Sequence, residues 1–426
     1  MTLRSLAASF LLLATALAGA ARPGSVTLVD PAGGDGTALL AAAITAAAPG
    51  DTLLLADGDY VGLGMTYTLK EGLRILPAPG AGTPALLRLE IHDIPVGQTL
   101  VLRGLSLGAP SPILFYPPLH VFDCDGAVWL EDCTLRGGDA VPAPGLLPAS
   151  GQAPASVGTG SEVHFRHCTL RGGRGADAVP EAGIPFAGGG GDGLLVDASS
   201  EIALHDCQVT GGDGGNGPTS TFFLASGRGG DALAIDGDAT VAACTATGGA
   251  EGADNDALPS VSGSAIVAFL ASADVRVLSS MLTAGAVQGA GTASPVISDP
   301  GGKVLLLDEP ARSVVLPDQL REGEVGVLLL DGQPGDEAWV FLSANATLTP
   351  LLGQKGTLAL DLGSLTGPVE FGVLPSPDGV VPVPFALPEL PAGIEAQTIF
   401  VQGVFLDADG SALGGASAIT WIDSAF

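Results

Sequence analysis

The chain has 426 residues and a formal net charge of −29, with 64 glycines, 32 prolines and 46% hydrophobic residues. This apolar content excludes a disordered chain, and the glycines and prolines favour short strands joined by frequent turns. A surface this acidic repels nucleic acid and anionic lipid, so we expect no nucleic-acid partner.

The first segment predicts export rather than a folded element. Arg4 precedes an apolar run, and Ala18, Gly19 and Ala20 form a small-residue cleavage site. This is the pattern of a secretory signal peptide, which we place at residues 1–20. No later stretch has the roughly 18 apolar residues of a transmembrane helix. We therefore expect a protein that is secreted or held at the cell surface, with no transmembrane segment.

Residues 37–48 predict a helix, with Leu40 and Ile44 on one face and Thr37 as its cap. Pro49 and Gly50 would end it. We expect this helix to cover the open end of a solenoid, as terminal units of repeat proteins do. Short strand-like runs follow at 53–55, 73–76, 86–91 and 100–107.

An internal repeat then occupies residues 126–138, 161–173, 200–212, 237–249 and 273–285. Its copies align on the column Cys133, Cys168, Cys207, Cys244 and Ser280. Apolar residues alternate on both sides of the column, and the alternation breaks just before it. This break predicts two strands joined by a bend in each coil.

The first four copies end in a pair of glycines, which we expect to end the strand through positive φ angles. Long loops rich in Gly, Pro and Asp follow, all at the same point of the coil, and solenoids commonly bind ligands through loops on one side. A further short strand comes after each loop, at 194–198, 233–236 and 265–270.

The predicted helix, the run Pro49-Gly50-Asp51-Thr52 and the run Gly58-Asp59-Tyr60 resemble the N-terminal cap and first coil of right-handed parallel β-helix proteins of the pectate-lyase-like superfamily. The repeated V-x-L-x-D-C-x-L-x-G-G is similar to the coil signature of their secreted bacterial members. The resemblance covers residues 24 to about 300 and implies an all-β fold, with a right-handed parallel β-helix over 21–300. The superfamily includes polysaccharide lyases, hydrolases and members without known activity, so it implies a fold rather than a reaction.

Residues 301–426 lack the repeat and predict a β-sandwich of the immunoglobulin-like kind. This part resembles the small C-terminal sandwich that follows the β-helix in some exported bacterial proteins. The predicted strands lie at 304–308, 325–330, 338–343, 357–362, 369–374 and 398–406. The run 399–422, with its turn at 407–410, is predicted to be a closing hairpin.

The cysteine column has two interpretations. The thiols are either reduced and packed as a buried ladder of small side chains, or paired as disulfides between neighbouring coils. Stacked side chains point the same way, which suits thiols better than bridges. Zinc is not expected, because the sequence has no C-x-x-C pair.

Charged residues flank the column in the first three repeat copies. Arginine there would bind a carboxylated sugar, and a histidine or arginine would remove the proton alpha to the carboxylate. In the other interpretation these side chains only pair with one another at the surface. The candidate catalytic face comprises Asp132, Arg136, His167, Arg171, His205 and Asp206.

Aspartates of the loops are candidate Ca²⁺ ligands, because Ca²⁺ takes six or more oxygens, although lone aspartates in glycine-rich loops also make turns. The Ca²⁺ candidates are Asp139, Asp177, Asp192, Asp213 and Asp231, with Asp254 and Asp256. The sequence lacks the usual signatures of polygalacturonases, calcium pectate lyases, serine hydrolases and zinc proteases.

The leading hypothesis is therefore a β-helix protein that binds extracellular polysaccharide without catalysis. The alternatives are a polysaccharide lyase or glycoside hydrolase acting in a groove along the coils, and a structural or adhesion protein. A binder needs exposed aromatic rings for sugar stacking. The predicted rings are Tyr116, Trp129, Phe222 and Phe223.

Overall fold

The computed structural model describes residues 24–31, 35–62, 66–108, 116–141, 149–179, 186–217, 226–253, 260–270, 273–288, 291–317, 319–350, 355–408 and 410–426. The predicted signal peptide, Phe222, Phe223, Asp254 and Asp256 lie outside these residues. No helix of the described chain is both long and apolar enough to cross a membrane.

Helix α1 spans Gly36–Ala46, close to the predicted 37–48, but its cap is not Thr37. Asp35 occupies the N-cap, and its carboxylate accepts the backbone N–H of Thr37 at 3.0 Å. A carboxylate at this position satisfies a helix N–H that has no partner within the helix. Leu40 is fully buried and Ile44 packs beside it, so the helix covers the first end of the solenoid core.

Three long parallel sheets build the first part of the chain as a parallel β-helix, with strands numbered in chain order. Sheet 1 has ten strands: β1 (Val26–Val29), β2 (Thr52–Leu55), β5 (Arg74–Pro77), β8 (Thr99–Arg103), β11 (Ala127–Glu131), β14 (Glu162–Arg166), β17 (Glu201–His205), β20 (Asp238–Ala242), β23 (Asp274–Leu278) and β26 (Val304–Leu307). The sequence assigned β26 to the second domain, but it pairs in parallel with β23 as the last strand of sheet 1.

Sheets 2 and 3 have eight strands each. Sheet 2 contains β4 (Tyr67–Leu69), β7 (Leu89–His92), β10 (Leu119–Phe122), β13 (Ala155–Val157), β16 (Leu194–Val196), β19 (Leu233–Ile235), β22 (Ile266–Val267) and β25 (Ile297–Ser298). Sheet 3 contains β3 (Asp59–Tyr60), β6 (Ala85–Leu86), β9 (Ser106–Leu107), β12 (Thr134–Arg136), β15 (Thr169–Arg171), β18 (Gln208–Thr210), β21 (Thr245–Thr247) and β24 (Met281–Thr283). One coil therefore runs from sheet 2 through sheet 1 to sheet 3.

The predicted bend between sheets 1 and 3 is made by one residue in the left-handed region. Such angles cost most L-residues about 1–2 kcal/mol, and glycine, aspartate and histidine are among those that occupy this region more readily. The bend column is Gly104 (φ 60°), Asp132 (55°), His167 (48°), Asp206 (52°), Ala243 (53°) and Ser279 (43°). This single residue breaks the alternation, so the predicted run 100–107 divides into β8 and β9 at Gly104. The predicted run 86–91 also divides into two strands, β6 and β7, at the passage from sheet 3 to sheet 2.

We expect Ala243→Gly to raise the free energy of unfolding by about 1 kcal/mol, because glycine removes the left-handed strain at the bend. The measurement is urea unfolding of the variant beside the parent. The matched control is Ala246→Gly, within strand β21 and fully buried, which should lower stability instead. Equal losses in both variants would contradict strain at this column.

The cysteine column is a ladder of free thiols inside the coil. All five cysteines are buried, and none of them forms a disulfide. Their sulfurs contact backbone carbonyls, as Cys168 Sγ does with the Arg166 oxygen at 3.2 Å. Burial raises the pKa of the Cys168 and Cys244 thiols, which keeps them protonated. The structure thus contains the thiol ladder rather than bridges between coils.

A thiol titration tests this arrangement. We expect a disulfide reagent to find no reactive thiol in the native protein, since all the thiols are buried and out of its reach. In guanidinium, without reductant, all five cysteines should react. Three or fewer reactive thiols in the unfolded chain would indicate disulfides.

The loops between sheets 3 and 2 form an ordered glycine layer over the described residues 137–141, 149–154, 172–179, 186–193, 211–217, 226–232, 248–253 and 260–264. Three successive backbone N–H groups in such a loop donate to three different acceptors: a carbonyl of the next coil, a carbonyl of the returning segment and an aspartate carboxylate. Gly172 donates to the Thr210 oxygen of the next coil (2.9 Å), and Gly173 to the Gln152 oxygen of the returning segment (2.8 Å). Arg174 donates to the carboxylate of Asp139 (2.9 Å). A period of three residues is that of the polyproline II conformation.

The prediction that these glycines adopt positive φ is wrong. Among the described glycines between Gly160 and Gly302, none has a positive φ. They are needed because the segments lie too close together for side chains: a Cβ on Gly212 would lie 1.9 Å from the Gly173 oxygen. As at the axis of collagen, only glycine fits where backbone segments approach this closely.

The C-terminal part is antiparallel and sandwich-like, and contains β27 (Ser313–Val315), β28 (Gln319–Arg321), β29 (Val325–Asp331), β30 (Glu337–Ser343), β31 (Ala346–Pro350), β32 (Thr357–Leu360), a 3₁₀ turn (Leu362–Ser364), β33 (Thr366–Val373), β34 (Val380–Ala386), β35 (Ala396–Asp407), β36 (Gly410–Leu413) and β37 (Ser417–Ile422). Strands β27, β29 and β34 form one sheet; β28, β37, β35, β30 and β33 form another, with β36 on β35. Strand β34 was not predicted, because its two prolines are typical of edge strands rather than central ones.

This second domain packs on the outer face of sheet 1. Leu54, Val101 and Trp129 of the solenoid share an apolar cluster with Leu348 and Phe400 of the second domain. Trp129 is only 1% exposed, so the expectation of an exposed ring there is wrong. A groove along the outer face of sheet 1 is thereby filled by the protein itself.

Candidate functional site

The predicted catalytic face is divided by the second domain. Beneath that domain, Glu131 lies between two arginines, 2.6 Å from Arg103 Nη2 and 3.5 Å from Arg166 Nε. The side chains of all three residues are at most 3% exposed. The arginines also donate to backbone oxygens of Ala418 and Ala416 in β37 and just before it. The Arg–Glu pairing expected at the surface is therefore a buried interdomain network.

His205 is also buried at this interface. Its ring packs against the backbone of Gly415, where a Cβ would lie 2.4 Å from the ring atoms. Its Nδ1 is 3.2 Å from Asp206 Oδ2. Nearby, His164 stacks on Trp129 with ring centroids 3.8 Å apart, and burial lowers its pKa well below the ordinary value. Neither imidazole has the open surroundings that a substrate would need.

The exposed part of the face is a ladder at the bend column. His167 lies 3.5 Å from both Asp132 and Asp206, and each of the three side chains is about one third exposed. Hydrogen bonds to Asp132 and Asp206 raise the pKa of His167 to about 9. Burial raises the pKa of Asp206, but hydrogen bonds from His167 and His205 outweigh it and hold that pKa well below its usual range. At neutral pH His167 is protonated, so it is a poor general base.

The two remaining residues of the face stand on a different surface. Arg136 and Arg171 are in-register neighbours on the outer side of sheet 3. Arg136 pairs with Asp139 at 2.8 Å in an exposed ion pair. The structure thus separates the six residues into a buried histidine, a bend ladder and a pair of surface arginines.

The His167 ladder predicts a stability that falls at alkaline pH. The pKa of His167 is about 9 in the folded protein and about 6.5 in the unfolded chain, so proton binding favours the folded state. This contribution to stability is complete below about pH 6.5 and is lost as the pH rises through 9. Allowing for solvent screening, we expect a loss of about 1–2 kcal/mol. Urea unfolding across this range should show it. His167→Asn, which tolerates the same φ, should abolish the decline, whereas His92→Asn should keep it; an unchanged slope in His167→Asn would contradict the ladder.

The candidate Ca²⁺ ligands serve the glycine layer. The carboxylates of Asp139, Asp177 and Asp213 each accept a backbone N–H from the next loop, at 2.7–2.9 Å. Asp192 and Asp231 do the same for Asp231 and Ser264. Burial also raises the pKa of Asp192 to about 6, which weakens it as a cation ligand. Spaced along the solenoid, these carboxylates satisfy backbone groups rather than converge.

One group in the described chain has metal-ligand spacing: Glu131, Asp132 and His167 offer atoms within 4.8 Å of one another. Arg103 and Arg166 already compensate the charge of Glu131, and His167 is protonated at neutral pH. A cation would meet three positive groups there, so these residues do not fit a resident metal.

A different cluster, which the sequence did not indicate, lies on the outer face of sheet 2. We call it the ring platform and define it as Glu90, His92, His120, Phe122 and Ser156. Parallel register aligns Glu90, His120 and Ser156 in one row and His92 with Phe122 in the next. In β7 and β10 the alternate residues are buried, so these side chains point outward and are half-buried. The only sequence signal was this alternation, upstream of the repeat.

The rings of the platform touch. His92 and Phe122 stack with centroids 5.0 Å apart and planes at 12°, and His120 lies 4.6 Å from Phe122. Burial lowers the pKa of His120, so that imidazole is neutral at neutral pH and can both donate and accept hydrogen bonds. At one edge, Arg88 lies 4.7 Å from the centroid of the Tyr116 ring and 3.3 Å from Glu90.

No known family model matches this chain, and no curated protein matches it either.

Proposed function

We propose that this is a secreted or cell-surface β-helix protein of the pectate-lyase-like kind that binds extracellular polysaccharide on the ring platform, without catalysis. The observation that carries the proposal is the contiguous set of rings formed by His92, Phe122 and His120 on the outer face of sheet 2.

Rings on this surface are unusual for the chain. Aromatic residues make up only 5% of it, and several of the largest are inside: Tyr60, Trp129 and Trp421 are at most 1% exposed. Rings that stay partly exposed on this surface stabilise the fold less than buried rings would. It suits the apolar face of a sugar, while Glu90, Ser156 and His120 supply hydrogen bonds to hydroxyls.

The direction of the platform supports a polymer rather than a single sugar. Its row of Glu90, His120 and Ser156 crosses three neighbouring strands and continues beyond the platform to Thr68 on one side and Leu195 on the other. Strands in a sheet are about 4.8 Å apart, so the surface extends along the solenoid axis for roughly 19 Å. Arg88 and Tyr116 border it and add a cationic and an aromatic contact.

The catalytic alternative has weaker support. The base it requires would be His167 or an arginine of the same face. His167 is held protonated, and Arg136 and Arg171 stand on the outer side of sheet 3, a different surface from His167. The other histidine of the face, His205, is buried against the second domain. The signal-peptide pattern of residues 1–20 and the resemblance to secreted β-helix proteins support export.

The test is a retention screen on immobilised acidic and neutral polysaccharides, with residues 21–426 as the probe and with Ca²⁺ or chelator present. We expect retention by at least one polysaccharide and no new ultraviolet absorbance from unsaturated ends. Phe122→Ala should weaken it about threefold to tenfold, since one aromatic contact contributes about 0.5–1.5 kcal/mol.

Phe269→Ala is the matched control, because Phe269 is 61% exposed and outside the platform. It should leave retention unchanged. Loss of retention in both variants, or in neither, would remove the platform from the proposal. New absorbance would establish a lyase instead, and no retention on any polysaccharide would favour a structural or adhesive solenoid.

A further inference from the structure

A cleft lies between the first coils of the solenoid and the second domain. Its volume is about 150 Å³, close to that of cavities that accept a six-membered ring. The walls come from the starts of β5 and β8 on one side, and from the turn before β31 and strand β35 on the other. We call it the interdomain cleft; the residues that matter are Arg74, Gln98, Thr99, Asn345 and Phe400.

Arg74 is a cation in this cleft without an acidic partner. Its Nη1 donates to the Gly50 oxygen at 2.6 Å and lies 3.5 Å from the Ala396 oxygen. Among the described residues, no carboxylate is in salt-bridge contact with it. Asp51 is close enough to influence its pKa, but both carboxylate oxygens of Asp51 already accept backbone N–H groups, from Ser25 and Ala48.

This differs from the other enclosed arginines. Arg103 and Arg166 share Glu131, and Arg312 pairs with Asp336 at 2.6 Å. A chain with 45 acidic and 16 basic residues does not lack partners for an arginine. Burial lowers the pKa of Arg74 to about 10, so it remains charged at neutral pH. A guanidinium in this setting gains from a bound carboxylate, which it can hold through two parallel hydrogen bonds.

Neutral polar groups surround the guanidinium. Gln98 uses its Oε1 to accept the Gly72 N–H at 2.7 Å, which leaves its amide N–H groups for a ligand. The Thr99 hydroxyl accepts the Ala346 N–H at 3.0 Å and retains its own proton to donate. The side chain of Asn345 makes no hydrogen bond with the described residues. Phe400 and Val101 supply an apolar wall.

We propose that the interdomain cleft binds one hydroxylated ring that carries a carboxylate, such as a hexuronate, with Arg74 on the carboxylate and Gln98 and Asn345 on the hydroxyls. The site is separate from the ring platform and does not depend on it. Because residues of both domains line the cleft, the ligand binds only when the domains are docked. Occupancy therefore stabilises the folded two-domain chain.

The experiment measures binding of glucuronate, galacturonate, glucose and acetate to residues 21–426, by calorimetry and by the shift in unfolding temperature. We expect at least one uronate to bind and to raise the unfolding temperature, with glucose and acetate at least tenfold weaker. Arg74→Gln should remove uronate binding, and Arg74→Lys should retain part of it. Arg136→Gln, an exposed arginine on sheet 3, should bind as the parent does.

Asn345→Ala is the second variant, because it leaves the solenoid intact should Arg74→Gln fail to fold. It should weaken uronate binding about threefold to tenfold, the value of one hydrogen bond. Binding of neither uronate at millimolar concentration, or equal binding by Asn345→Ala, would overturn the site. Acetate binding as tightly as a uronate would overturn the assignment of the ring. Polysaccharide retention on the platform is measured separately and is expected to be unchanged in Arg74→Gln.

Discussion

Glu131→Ala should lower the free energy of unfolding by about 3–5 kcal/mol, the largest effect of a single side-chain truncation that we expect in this protein. The carboxylate accepts from Arg103 at 2.6 Å and from the Trp129 indole at 3.1 Å, and it lies 3.4 Å from the Ala418 nitrogen. Its removal leaves the buried Arg166 without its counter-charge and takes from Arg103 the carboxylate at 2.6 Å, while Asp132 lies 3.8 Å from Arg103. The loss arises mainly from that uncompensated charge.

Chemical unfolding measures this loss of free energy. The number of steps in the unfolding curve is a second observable. Since the network joins sheet 1 to β37, the variant should unfold in two steps, with the second domain separating first. Asp274→Ala is the control, because Asp274 is half-exposed and pairs with Arg276 at the surface. It should cost at most about 1 kcal/mol. Equal losses in the two variants would mean that Glu131 does not hold the domains together.

Gly212→Ala is expected to cost about 3 kcal/mol or more, because the glycine layer has no space for a methyl group. The added Cβ would lie 1.9 Å from the Gly173 oxygen and 2.7 Å from the Gly173 carbonyl carbon, both backbone atoms that cannot rotate away as a side chain could. This clash is removed only if the neighbouring loop shifts, and that loop is hydrogen-bonded to the loops on either side of it. The damage would therefore spread along the solenoid.

Gly189→Ala provides a matched comparison within the same layer. The nearest atom to its added Cβ is the Arg228 oxygen at 3.5 Å, an ordinary contact. We expect stability to stay the same or to rise by about 0.4–1 kcal/mol, since alanine restricts the unfolded chain. Thermal unfolding of both variants decides the matter. A large loss in Gly189→Ala, or none in Gly212→Ala, would contradict the packing of the layer.

The glycine layer also bears on function. The sequence predicts that the loops lie on the binding side of the solenoid. Over their described parts they form a lattice in which even the acidic side chains are occupied, as the Asp139 carboxylate is by the N–H of Arg174. Their carboxylates accept the backbone N–H groups that neither neighbouring segment satisfies. This explains the aspartates without a metal ion.

The repeat alone determined the architecture. The alternation around Cys133 and its equivalents, together with the break before the column, requires two strands and a bend in each coil. The structure confirms the stacked parallel sheets and the sandwich-like second part. Local signals sufficed because each coil pairs with a copy of itself, so the register follows from the repeat.

The location of the candidate site depends on tertiary structure. The second domain gives different surroundings to side chains that are chemically similar and adjacent in the sequence. Glu131 and Asp132 are neighbours in the chain, yet one is buried beneath β37 and the other is exposed at the bend. The ring platform arises from register between strands of sheet 2, which lie outside the aligned repeat copies. The sequence by itself determined the coils and their core. Which faces remain open to a ligand depends on contacts between Trp129 and Phe400, separated by most of the chain, and no local pattern encodes them.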